Sequence, residues 1–210
     1  MGGGCYTNEN RDLVIVGNWC PNKCFSNHGT CGASEIGAEK NVLMCELRPN
    51  LDGKLIDNAV FEILKAIDNA IKTGRSVFLY TPDMFNKFYL NAIVKKLPNS
   101  PDAYIAVNAC VKSFMESGMS FEELHTKGIK EVWFGVESGS ESLRDKYNKP
   151  SFANKDILKI TELGRDAEVN VCWFLVDGDE DTPQTRLETY DLLKEAQPFR
   201  FHFSPLSRAA

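Results

Sequence analysis

Apolar residues recur along this chain in two rhythms that take turns. Short continuous runs at 13–17, 76–80, 103–107, 131–136 and 169–176, with another opening at 201–203, read as strands buried on both faces. Between them the apolar positions fall three and four apart. The longest such stretch is 55–72, where Leu55, Ile56, Ala59, Val60, Ile63, Leu64, Ile67, Ala70 and Ile71 make one helical face that stops at Thr73-Gly74. Further helices are expected at 87–97, closed by Pro98, and at 120–128, opened by the capping box Ser120-Phe121-Glu122-Glu123. Two more span 141–147 and 154–166, separated by Asn148-Lys149-Pro150, and a last one is launched by Thr182-Pro183. The connections are too long for hairpins, so the sheet should be parallel with right-handed crossovers. A closed eight-fold barrel takes about 250 residues, more than the 210 here. The fold class expected is therefore α/β, a partial (β/α)6 TIM-like barrel with parallel strands. The stretch 42–47 reads equally as a short strand or as part of a folded loop.

Composition narrows the class. An apolar content of 43% in 210 residues is enough for one domain with a full core. Residues 1–12 are polar and glycine-rich and are expected to form a flexible N-terminal segment, leaving 13–210 as the domain. The net charge of −5 supplies no basic field for nucleic acid. No apolar run reaches membrane-spanning length, and the N-terminus lacks a signal-peptide core, so a soluble, cytoplasmic protein is the expectation. Seven cysteines, an odd number, favour metal or redox chemistry over a disulfide frame.

The candidate chemistry begins where the first strand stops. Residues 13–32, LVIVGNWCPNKCFSNHGTCG, run from an apolar strand into a loop carrying Cys20, Cys24 and Cys31. Loops at the ends of parallel strands are where α/β folds place their sites. Soft thiolates select zinc, copper(I) or iron–sulfur. Three thiolates alone leave one position of a cluster open to an exogenous ligand, a catalytic arrangement. With His28 added, the same loop offers a closed Cys3His set for structural zinc, and plain buried thiols are a third reading. Cys45 reads as a small buried hydrophobe and Cys5 as a bystander.

Cys20-Pro21-Asn22-Lys23-Cys24-Phe25 resembles the opening of the radical S-adenosylmethionine (radical SAM) signature: cysteine, three residues, cysteine, aromatic. In that family the third cysteine usually comes two residues after the aromatic, counting from the second cysteine three positions on; here that position is Asn27, and Cys31 is offered instead. The segment VWFGVESGS, residues 132–140, is similar to the fourth core strand of many members, notably those related to methylthiotransferases and cobalamin-dependent enzymes. The segment 171–182 is similar to the fifth strand, with Asp177, Gly178 and Asp179 replacing the usual glycine, leucine and proline. The family's glycine-glycine-glutamate stretch has no literal match, and Thr81-Pro82-Asp83 stand in its place.

The resemblance covers roughly residues 13–206. It implies a [4Fe–4S] cluster on Cys20, Cys24 and Cys31, S-adenosyl-L-methionine (SAM) chelating the open iron, and reductive cleavage to a radical that abstracts hydrogen from a substrate. It implies Phe25 and Val176 beside the adenine, Asn108, Glu137 and Ser138 at the ribose or carboxylate, and Asp83 at the amino group. His202 and Ser204 are expected to end the sixth strand facing the same mouth. Such an enzyme is oxygen-sensitive and takes its electron from a donor such as flavodoxin or ferredoxin. With no appended domain to close the barrel, the mouth should admit a large substrate, a peptide or protein. No cobalamin-binding domain is recognisable.

Overall fold

The computed structural model describes residues 11–16, 42–44, 47, 51–147 and 152–206. Its elements run β1 (Arg11–Ile15), β2 (Val42–Met44), α1 (Gly53–Lys72), β3 (Ser76–Tyr80), α2 (Lys87–Ala92), a 3-10 turn (Val94–Lys96) and β4 (Ile105–Ala109). They continue with α3 (Val111–Ser117), α4 (Phe121–Thr126), β5 (Ile129–Glu137), α5 (Glu141–Lys146), α6 (Asn154–Asp166), β6 (Asn170–Gly178), α7 (Pro183–Ala196) and β7 (Arg200–Leu206). The strands form one sheet in the order β2-β1-β3-β4-β5-β6-β7. Every neighbouring pair is parallel. The sheet curls into the half-barrel expected from the alternating pattern, with the ambiguous stretch at 42–47 contributing β2 beside β1.

Alternate residues of the same strands go to different layers because side chains point to opposite faces of a sheet. Leu13, Phe78, Tyr80, Ala106, Trp133 and Cys172 form a cluster on the inner face, with Phe174 packed against it. Their neighbours Val14, Val77, Leu79, Val107, Val132, Phe134, Val171 and Trp173 belong to the larger outer core that the helices cover. Helix α1 supplies Val60, Ile63, Ile67 and Ala70 to that core, and Asp52 caps it by accepting from Leu55 N at 2.9 Å. At α7, Thr182 accepts from Thr185 N while the Thr185 hydroxyl accepts from Thr182 N, with Pro183 opening the helix.

Three departures from the sequence pattern have local causes. β1 begins at Arg11, ahead of the apolar run, because Arg11 is buried against an acid across the sheet. Its guanidinium donates to both carboxylate oxygens of Glu131 at 3.2 Å, and Glu131 also accepts from Trp133 Nε1 at 2.6 Å and from the Tyr104 hydroxyl at 2.8 Å. The helix expected at 87–97 stops at Ala92, where Ile93 leaves helical angles, and resumes only as a 3-10 turn. Helix α3 lies outside the helices the sequence pattern marks; it is a two-turn element that buries Val111 and Phe114 and ends at Gly118 in the left-handed region.

Candidate functional site

In a parallel half-barrel every strand delivers its C-terminal end to one rim, so the rim residues are fixed by where each apolar run ends. After β3 come Thr81, Pro82 and Asp83; near the end of β4 lies Asn108; β5 ends at Glu137, followed by Ser138, Gly139 and Ser140; β6 ends at Asp177 and Gly178. Among the described residues, no group of three or more histidines, cysteines or acids is placed to hold a metal ion. Cys20, Cys24, Phe25, His28, Cys31, Cys45 and Cys5 lie outside the described residues.

The β3 and β4 ends are tied together. Met84 N donates to Asn108 O at 2.9 Å, and Asp83 Oδ1 accepts from Phe85 N at 3.2 Å and from Cys110 N at 3.1 Å. Beside this cross-link, three buried polar atoms have no hydrogen-bond partner among the described residues: Thr81 Oγ1, Asp83 Oδ2 and Asn108 Oδ1. Thr81 and Asp83 are almost completely buried and Asn108 nearly so. Burial raises the Asp83 pKa above the ordinary carboxylate value, against the opposing pull of the nearby Ser113 hydroxyl, which makes no hydrogen bond to Oδ2, and of the backbone N–H groups of Cys110, Phe85 and Asn86. An unpaired buried polar atom costs about 1–3 kcal/mol, so a group of three at one rim calls for an explanation. Two of the three are obligate acceptors, and the third is a hydroxyl. A ligand presenting several N–H donors, above all an ammonium, matches that set.

The β5 end is built differently. The β5–β6 register slips between Gly135 and Glu137, and Glu137 has φ of 64°, a left-handed conformation rare for a residue with a side chain. Its carboxylate folds back over the strand: a Cβ at Gly135 would lie 2.8 Å from Glu137 Oε1. Strain of this kind persists where surrounding structure enforces it and is concentrated at functional sites. Ser138 and Gly139 are pinned from α7. The Thr189 hydroxyl lies 3.2 Å from Ser138 Oγ and accepts from Gly139 N at 2.8 Å, while Ser138 Oγ also accepts from Ser140 N. A Cβ at Gly139 would come within 2.4 Å of Thr189 Cα, so only glycine lets helix and turn approach this closely. Buried Arg144 locks the turn from below, donating to Ser138 O and Phe152 O and stacking over Phe152. The Ser138 hydroxyl is thus committed to the turn, and the Glu137 carboxylate lies back over Gly135.

Val176 is half-buried at the top of β6, in register with Ser204 of β7. Asp177 turns to solvent and pairs with Arg186 at 2.8 Å; Asp181 accepts from Gly178 N at 2.9 Å and shapes the β6–α7 turn. Tyr147, buried beneath this turn, has its pKa raised by burial and then by the carboxylates of Asp181, Asp177 and Glu137. His202 sits edge-on to Phe174, which stacks on Trp133 with ring centroids 4.7 Å apart. The inner floor below the rim is therefore aromatic. Sequence reading names His202 and the triplet Thr81-Pro82-Asp83, but neither the Trp133–Phe174 stack beside His202 nor a role for the Thr81 hydroxyl. The available signal was the two-residue alternation inside the apolar runs, which marks Phe78, Tyr80, Trp133 and Phe174 as sharing the inner layer once the sheet's faces are known.

No family model matches the chain, and no curated protein matches it significantly. Solved structures do match. The radical S-adenosylmethionine methyltransferase TsrM from Kitasatospora setae, with cobalamin and a [4Fe–4S] cluster bound, aligns with a TM-score of 0.56 at 15% identity over 70% of this chain and 30% of that one. The same enzyme with tryptophan substrate and the SAM analogue aza-SAM aligns at 0.56 and 17% identity over 71% and 30%. Coproporphyrinogen III oxidase (HemN) from Escherichia coli, a radical SAM enzyme, aligns at 0.53 and 13% identity over 94% and 44%. The chain thus spans less than half the length of these proteins. The likeness is one of fold: an α/β half-barrel of the kind these radical SAM enzymes contain.

Proposed function

We propose that this chain is a radical SAM enzyme core, holding a [4Fe–4S] cluster on Cys20, Cys24 and Cys31 and SAM along the rim of the half-barrel. The observation that carries the reading is the trio of buried atoms Thr81 Oγ1, Asp83 Oδ2 and Asn108 Oδ1, unpartnered among the described residues, which suits an ammonium; the resemblance assigns Asp83 to the SAM amino group, and placing Asn108 there, where the resemblance expects the ribose or carboxylate, is part of this proposal. The similar solved structures carry a [4Fe–4S] cluster or a SAM analogue by their own descriptions, which supports the same assignment. When bound and reduced, the cluster and SAM together supply a 5′-deoxyadenosyl radical able to take hydrogen from a substrate.

The chain's own residues bind and orient. An ammonium beside Asp83 stabilises its carboxylate, so the pKa that burial raises in the free protein is drawn back down on binding and the pair becomes charged on both sides. Glu137, held in place by the slip in β5 and by the pinned Ser138–Ser140 turn, presents its carboxylate to ribose hydroxyls. Val176 offers apolar surface to the adenine, and Phe25 the same from the cysteine loop. The aromatic floor of Trp133, Phe174 and His202 lies below the rim, where it keeps water from a reactive centre. The substrate is unassigned, and a peptide or protein fits the open mouth that the sequence reading expects.

Anaerobic purification followed by metal analysis tests the reading. About four iron and four sulfide per chain are expected, falling to background when Cys20, Cys24 and Cys31 are replaced together by alanine. A colourless protein holding one zinc would instead fit the Cys3His set of Cys20, Cys24, His28 and Cys31 and would overturn the proposal.

A further inference from the structure

We infer that Thr189 on α7 is a positioning residue for SAM: its hydroxyl holds the Ser138–Gly139 turn in the shape that seats Glu137, and ties that turn to the end of β6. The inference rests on the reading of this rim as the SAM site and gives Thr189 no contact with SAM itself.

A hydroxyl has one proton to give and two lone pairs with which to accept. Thr189 gives its proton to Thr185 O, one turn back on its own helix, at 3.0 Å, the back-bond that threonine makes inside helices. Both lone pairs are then left for the turn. One accepts from Gly139 N at 2.8 Å. The other faces Ser138 Oγ at 3.2 Å, so Ser138 is the donor there, while Ser138 Oγ in turn accepts from Ser140 N at 3.1 Å. Thr189 is buried, so a side chain of the same shape without the hydroxyl leaves the Gly139 N–H and the Ser138 O–H facing a methyl group.

The rest of the turn is anchored from other sides. Ser138 N donates to Val136 O at 2.8 Å, Ser138 O accepts from Arg144, and Gly139 O accepts from Asn154 Nδ2 at 2.8 Å. The strain falls on the residue between this fixed turn and the strand, Glu137 at φ of 64°, a conformation that a residue with a side chain keeps when its surroundings enforce it. Thr189 brings the helix after β6 into that enforcement. Thr185, whose carbonyl takes the Thr189 proton, has its own hydroxyl 3.2 Å from Asp181 Oδ1, and Asp181 Oδ2 accepts from Gly178 N at 2.9 Å. Thr185 and Thr189 are four apart and so share one face of α7. The ends of β5 and β6, which the SAM reading gives to ribose and adenine, are therefore joined through the first two turns of one helix. Their relative placement is set before the ligand arrives, which spares binding the entropy of ordering the site.

Calorimetry of SAM binding to the cluster-loaded chain tests it. Thr189→Val keeps the side chain's shape and removes the hydroxyl; it should weaken binding about 10-fold and raise the KM for SAM in 5′-deoxyadenosine release by the same factor, with kcat within about 2-fold of wild type. Thr189→Ser, which keeps the hydroxyl, should bind within about 2-fold of wild type. Glu137→Gln alone should also weaken binding about 10-fold, and the double variant should stay near that loss rather than reach about 100-fold, because the two side chains act as one unit. In the wild type, hydrogen exchange at the Gly139 amide should slow when SAM is added, a measurement that needs no variant. The inference is overturned by a Thr189→Val protein that binds as wild type does, by a Thr189→Ser protein that falls as far as the valine variant, by losses that multiply, or by a Gly139 amide indifferent to SAM. Each of those outcomes leaves the SAM reading standing. A cluster-loaded wild type that does not bind SAM overturns that reading, and this inference with it.

Discussion

At the scale of single residues, Asp83 concentrates the tension between stability and function. Its carboxylate is buried with one oxygen satisfied by two backbone donors and the other by nothing described. Because the folded state raises its pKa, the stability linked to its proton is fully present below the unfolded value, about 3.9, and is lost as pH rises through the raised folded value. Asp83→Asn keeps the accepting oxygen and removes the buried charge. The variant is expected to be more stable than wild type at pH 7 by on the order of 1 kcal/mol, roughly 2–4 °C in melting temperature for a chain of this size. The advantage should shrink on acidification as wild-type Asp83 takes up its proton, which a series of thermal melts from pH 7 downward would reveal. The same substitution should weaken SAM binding about 10- to 100-fold, the loss expected for a buried charge-assisted contact, measured by calorimetry on the cluster-loaded protein. Unchanged affinity would remove Asp83 from the ammonium site. The position of Thr81-Pro82-Asp83 after its strand is enough to suggest Asp83 for the amino group, but the burial and the leftover oxygen are not in the string. The triplet has no literal counterpart in the family pattern, and only the link from Asp83 to the β4 end reveals which oxygen is left over.

Among elements, strand and helix existence was legible and strand facing was not. Within β3, residues 77–80 are all apolar because both faces are buried, so their periodicity carries no sign of which residues line the barrel. Short helices were harder still: α3 shows only Val111 and Phe114 at helical spacing before Gly118 stops it. Arg11 was assigned to a polar leader because its partner, Glu131, is 120 residues away. That pair joins β1 to β5, and Tyr104 and Asn170 extend the network toward β4 and β6. Burial pushes the Glu131 carboxyl up, but the Arg11 guanidinium, with hydrogen bonds from Trp133 and Tyr104, outweighs it and holds the pKa below the ordinary value. The stabilisation from Glu131 is therefore present above the unfolded value, about 4.3, and is lost as pH falls through the depressed folded value. Tyr104, pushed up to about 12 chiefly by burial, stays protonated throughout that range. Glu131→Gln leaves Arg11 buried without its counter-charge and should cost about 3–5 kcal/mol in chemical denaturation at pH 7. The gap to wild type should narrow at acid pH, where wild-type Glu131 also becomes neutral. A loss under 1 kcal/mol would mean that the network contributes little to closing the bottom of the half-barrel.

For the whole molecule, one curved sheet separates two kinds of chemistry. Its N-terminal end carries the closed Arg11–Glu131 network, in which each hydrogen bond described meets a partner. Its C-terminal rim carries the unsatisfied atoms of Thr81, Asp83 and Asn108 and the strained Glu137. That asymmetry is what a parallel α/β sheet imposes: stability is built at one end and ligand chemistry at the other. No helix among the described residues is long and apolar enough to cross a membrane. The central claim is that this rim binds SAM against a cluster carried by the first loop, and product analysis tests it most directly. Cluster-loaded protein reduced with dithionite and given SAM should release 5′-deoxyadenosine and methionine, and Asp83→Asn should do so only at raised SAM concentration. A fully loaded, reduced protein that leaves SAM intact would contradict the account.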